Sequence, residues 1–121
     1  MMKNIRLYFV IIFSLCLSLL IVVYSVATVN RNRVWHDELT LWSDVLEKYP
    51  KAYKAYYSLG RVYMEQGNIE KALLYFNKTI EIYPFMYQAY NRIGIIYGER
   101  RDAANAIKWF NSAIKIRPDF H

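Results

Sequence analysis

The chain of 121 residues has one cysteine, two histidines and four glycines, and each scarcity removes a class of function. With Cys16 alone there is no intramolecular disulfide framework, and redox chemistry says nothing about the compartment. Two histidines, no glycine-rich phosphate loop and no serine, histidine and acid set that shares a plausible cleft leave no catalytic constellation, so neither an enzyme activity, a metal nor a cofactor is expected. Acids are missing from residues 1–34, which hold four Lys or Arg, whereas residues 35–121 hold twelve basic against ten acidic side chains. The basic excess therefore flanks the apolar N-terminal run and suits lipid headgroups. The near-neutral remainder has no basic stripe for phosphates, and nucleic acid is set aside as a partner.

Charge is absent altogether from Leu7 to Val29, a run of 23 residues. At about 1.5 Å per residue a helix of that length crosses the roughly 30 Å hydrocarbon core of a bilayer. Lys3 and Arg6 precede it, Arg31 and Arg33 follow it, and Trp35 stands where an interfacial aromatic belongs. A cleaved secretory signal is the competing reading, because Ser25-Val26-Ala27 has the small-x-small form and would release a chain starting at Thr28. The apolar stretch exceeds the usual signal core, which favours an uncleaved anchor. Phe13-Ser14-Leu15 before Cys16 lacks the small residue of a lipoprotein box, so acylation is not expected.

What the rest of the chain does have is a period. Tyr56, Leu59, Gly60, Tyr63, Ala72, Phe76 and Pro84 recur 34 residues later as Tyr90, Ile93, Gly94, Tyr97, Ala106, Phe110 and Pro118. Trp42 and Pro50 sit 34 residues before Phe76 and Pro84, so a half-unit stands in front. Tyr56, Leu59 and Tyr63 line one face of a first helix, and Ala72, Phe76 and Ile80 one face of a second. Gly67-Asn68 and Arg101-Asp102 mark the turns between them, and Pro84 and Pro118 end each unit. The unit resembles the tetratricopeptide repeat, with Thr79 a mild departure where the family has the alanine seen at Ala113. The resemblance implies an all-α fold: one transmembrane helix, then an α-solenoid of about two and a half units.

The expected organisation is a cytoplasmic N-terminus (1–6), a transmembrane helix (7–29), a juxtamembrane segment with a capping half-repeat helix (30–52), and two repeats (53–86 and 87–120). Leu39, Trp42, Val45 and Leu46 recur at helical spacing and predict the cap over residues 36–49. Asp37 and Glu38 oppose its dipole, and three adjacent side chains, His36, Asp37 and Glu38, do not converge on one ion. Two basic residues on each side of the span leave its orientation tied; the free amino terminus tips that end to the cytoplasm and the repeats to the extracytoplasmic side. The stretch Asn30 to Asp44, followed by Pro50, also resembles the junction of large membrane proteins that carry tetratricopeptide repeats after a polytopic glycosyltransferase-like region. In those proteins the repeats face the extracytoplasmic or lumenal side. Their multi-span catalytic part is absent here, so the chain reads either as a stand-alone anchored module in envelope or glycan-assembly machinery or as the C-terminal fragment of such a protein.

By the family's pattern, the concave lining maps to Lys54, Tyr57, Arg61, Met64 and Glu65 in the first unit and Gln88, Asn91, Ile95 and Glu99 in the second. This set implies a protein or peptide partner, such as an amphipathic helix in the groove. It lacks the clustered Lys and Asn of a carboxylate clamp. The alternative for every one of these positions is a merely solvated helix face. Of twelve tyrosines, Tyr53, Tyr57, Tyr75 and Tyr87 are unclaimed by core, span or pre-proline positions and offer a stacking site as a further reading. Asn77-Lys78-Thr79 matches a glycosylation acceptor but falls inside a helix beside Phe76, which favours a structural role. After Pro118 no further helix covers Ile107 and Ile114, so a partner, self-association or additional sequence is expected at that end.

Overall fold

No proline precedes Pro50 and no glycine precedes Gly60, and over that stretch nothing interrupts the helical ladder. The structure, a computed structural model, describes residues 1–119 and shows α1 spanning Met2–Lys48. The apolar run, residues 30–35 and the half-repeat segment are thus one helix. Ser18, Ser25 and Thr28 donate to the carbonyls of Ser14, Ile21 and Tyr24 at 2.8, 2.8 and 2.9 Å. Their hydroxyls are satisfied by the helix's own carbonyls. α1 is long and apolar enough to cross a membrane, and none of its residues is buried.

The chain divides into two units, Met1–His36 and Asp37–His121. In the second, α2 (Tyr53–Glu65) and α3 (Ile69–Ile82) form one helical hairpin, and α4 (Tyr87–Glu99) and α5 (Ala103–Ile116) the next. Packing runs α2 on α3, α3 on α4, α4 on α5, the sequential order of a solenoid. The turns match as closely as the period predicts. Gly67 and Arg101 both take the left-handed conformation, at φ 78° and 60°. Asn68 and Asp102 follow and cap α3 and α5, each side chain accepting from the backbone N–H three residues on at 3.2 Å. The terminal residue expected in the second repeat, Phe120, lies outside the described residues.

The core is built from the second-helix aromatics and the residues facing them. Ala72, Phe76, Ile93 and Ile96 form a fully buried cluster, with Leu73, Ile80, Tyr63 and Tyr97 packed against it. A Cβ on Gly60 would sit 2.7 Å from the Phe76 ring, and one on Gly94 2.7 Å from Phe110, so each glycine admits the ring of its own unit. Thr79, the departure from alanine, is fully buried and donates to the Tyr75 carbonyl at 2.9 Å, which removes the cost of its hydroxyl.

The half-repeat differs from the expected cap in one respect. Leu39, Trp42, Val45 and Leu46 do form a partly buried stripe. Trp42 is nevertheless only partly buried where its counterpart Phe76 is sealed. Phe76 rests on the first helix of its own hairpin, whereas the residues before Trp42 continue the same helix and offer no antiparallel partner. At the other end, Ile107 and Ile114 are 58 and 40% exposed, as the sequence leads one to expect, while their counterparts Leu73 and Ile80 are covered by the second hairpin.

Candidate functional site

The nine groove positions fall on the two first helices, α2 and α4, and divide into three kinds. Lys54, Arg61, Glu65 and Glu99 are exposed. Gln88, Asn91 and Ile95 are partly buried. Tyr57 and Met64 pack against the core cluster, so only part of each side chain remains available. Arg61 and Glu65, one turn apart, approach to 3.5 Å and neutralise each other on an exposed face. That geometry is worth only a few tenths of a kcal/mol, so a ligand carboxylate can displace Glu65 at little cost.

Of these nine, Tyr57 touches both the core and the second unit. Its ring lies 5.6 Å from that of Phe76, and its hydroxyl accepts from Arg92 Nε at 3.4 Å. This bond joins α2 to α4 and brings the two halves of the lining together. Arg92 escapes the sequence argument because the family pattern assigns no groove role to its position, where the first unit has Ser58. The available signal was its placement one period and one residue after Tyr57, facing the same gap. The two first helices thus carry Lys54 and Arg61, both exposed, and the half-buried Arg92 bonded to Tyr57, side chains of the types that hydrogen-bond and make apolar contact at protein interfaces.

The four unclaimed tyrosines do not converge. Tyr53 stacks on Tyr83 at 4.5 Å, Tyr75 on Tyr63 at 5.4 Å, and Tyr87 lies beneath the Arg117 guanidinium at 5.0 Å. Burial, with Tyr63 and Tyr56 adding to it, pushes the Tyr75 hydroxyl above its ordinary pKa. Tyr56 on α2 and Leu74, Tyr75 and Lys78 on α3 border a shallow depression of about 320 Å³. Each ring has a partner within the chain, which weighs against a common stacking site. Among the described residues no His, Cys, Asp and Glu group is arranged to hold a metal.

Family profiles described as tetratricopeptide repeat match residues 53–86 and 87–120, together more than half of the chain. Among curated proteins, the chain is 34% identical over 61 residues to protein O-mannosyl-transferase TMTC3 of Mus musculus. That match covers 50% of this chain and 7% of the mouse protein. Among solved structures, MamA superposes with a TM-score of 0.61 at 31% identity, over 64% of this chain and 46% of MamA. YrrB, described as a TPR protein with an unusual peptide-binding site, has a TM-score of 0.61 at 23% identity over 65% of this chain and 41% of its own. The chain thus spans less than half the length of each of these relatives.

Proposed function

This chain belongs to the tetratricopeptide-repeat family, and from that premise we propose that it is a membrane-anchored interaction module which presents the α2 and α4 surface to a peptide or protein partner. The observation that supports this reading is the Arg92 to Tyr57 hydrogen bond at 3.4 Å, which links the two first helices while Lys54 and Arg61 stay exposed and Ile95 half-exposed. The repeats act by binding, with no catalytic step of their own. The anchor is α1, with the N-terminus cytoplasmic and the repeats extracytoplasmic, in envelope or glycan-assembly machinery.

Site-specific photocrosslinking in cells tests the groove. A photoreactive residue at Arg61 or Ile95 is expected to capture a discrete partner that the same probe at Asn77, on α3, does not, and Tyr57→Ala is expected to weaken the capture. Equal capture from both faces overturns the groove assignment. Fractionation with intact-mass determination and protease treatment from each side of the membrane tests the anchor: a soluble product beginning at Thr28, or repeats protected from outside, would replace it.

A second reading rests on the curated match. Because the similarity to TMTC3 covers half of this chain and a small part of that protein, the chain is alternatively the tail of a polytopic glycosyltransferase-like protein, whose repeats would serve the catalytic region. Further apolar spans encoded in frame upstream of Met1 would favour that reading over the stand-alone module.

A further inference from the structure

The exposed face of α5 is apolar at its centre and basic at its edge. Ile107 and Ile114, seven residues apart, are 58 and 40% exposed, and Lys108 and Lys115, also seven apart, stand beside them. At 1.5 Å per residue the two lysines are about 10.5 Å apart along the helix, on one side of it. The face corresponds, one period on, to the face of α3 that receives α4, so it has the contour of a helix-accepting surface. It continues the established packing.

The half-repeat end of α1 has the opposite sign. Residues 37–48 hold Asp37, Glu38, Asp44 and Glu47 against Lys48. Leu41 is 56% exposed, with Asp37 and Glu38 one turn before it and Asp44 one turn after it. Asp37 and Asp44 repeat the seven-residue spacing of the two lysines. Among the described residues none of Asp37, Glu38, Asp44, Lys108 and Lys115 is in an ion pair.

We propose that a second copy of this chain covers the open face of α5, setting the Leu41 face of its α1 against Ile107 and Ile114 with Asp37 and Asp44 opposite Lys108 and Lys115. The two surfaces differ: two chains that exchange the contact reciprocally close a two-fold, isologous dimer, and a one-way, heterologous contact propagates an array. The charge pattern rejects α5 against α5, which would bring four lysines together. The contact lies outside the α2 and α4 groove, so it does not depend on the groove reading and its failure leaves that reading intact.

Charge reversal with rescue tests it on the full chain in mild detergent, by sedimentation velocity across a concentration series. The parent chain is expected to self-associate, and more weakly at high salt. Lys108→Glu with Lys115→Glu is expected to weaken association by about tenfold, because each reversal replaces an attraction with a repulsion, and Asp37→Lys with Asp44→Lys to do the same. The chain carrying all four substitutions is expected to regain parental association. All four positions are exposed, and circular dichroism identical to the parent's certifies each variant. A parent chain that stays monomeric, association indifferent to either reversal, or four substitutions no better than two overturns the proposal; indifference to reversal would assign association to the apolar half of α1.

Discussion

Gly60→Ala and Gly94→Ala are the same substitution at the same repeat position, and their costs should differ because the rings they strike differ in freedom. A Cβ at position 60 would lie 2.7 Å from both Cδ1 and Cε1 of Phe76 and 3.2 Å from Cγ. Relief to an ordinary contact near 3.5 Å needs a shift of about 0.8 Å. Phe76 is fully buried among Ala72, Ile93 and Ile96 and has nowhere to go. Overpacking of this kind costs about 1–3 kcal/mol, with the upper end apt here. Replacing a mid-helix glycine returns about 1 kcal/mol of backbone propensity. The net expectation is a loss of about 2 kcal/mol, which for a domain of this size lowers Tm by roughly 10 °C. At position 94 the Cβ meets Phe110 Cε1 at 2.7 Å, but Phe110 is only partly buried and its ring can turn toward the open face of α5. Strain and propensity then nearly cancel, and Gly94→Ala should fall within about 1 kcal/mol of the parent. Urea unfolding followed by tryptophan fluorescence, with Trp109 reporting on the second hairpin, measures both. Equal losses, or a larger loss at Gly94, would refute the argument that burial of the ring decides the cost.

The remaining expectations concern the turns and one cap. Arg101 holds φ 60° where the first unit has Gly67, so Arg101→Gly should gain about 0.5–1 kcal/mol in the same unfolding assay, and Gly67→Ala should lose about 1 kcal/mol. Asn68→Ala removes the acceptor for the Lys71 N–H and should cost about 1 kcal/mol. Hydrogen bonds from the Asn105 side chain and backbone hold the Asp102 carboxyl below the usual carboxylate range. A carboxyl depressed on folding contributes stability above its unfolded pKa and loses it as pH falls through the folded one. The parent chain should therefore be more stable than Asp102→Asn at neutral pH, with the difference shrinking below about pH 4 in thermal melts.

Most of the fold was legible because a repeat writes its architecture locally. The spacing of Tyr56, Leu59 and Tyr63, the small residues at 60 and 72 and the prolines at 84 and 118 specify each hairpin through contacts within about 30 residues. The groove was legible only as a list of positions: nothing in the spacing distinguishes Tyr57 and Met64, half taken up by the core, from Lys54 and Glu99, which are free of it. Arg92 was legible only as a position one residue past the period from Tyr57, because its bond depends on a partner 35 residues away on another helix.

By itself, then, the sequence determined what recurs and what stays local: two helical hairpins, their turns, and an uncharged run long enough to cross a bilayer. The tertiary structure decided what differs between equivalent positions. Phe76 and Phe110 stand at the same place in one motif, yet the first is sealed and the second is not, and Trp42 in the half-unit is sealed no better. The reason is that burial belongs to a residue's place in the array and to the neighbour stacked on it, which a period in the sequence does not encode.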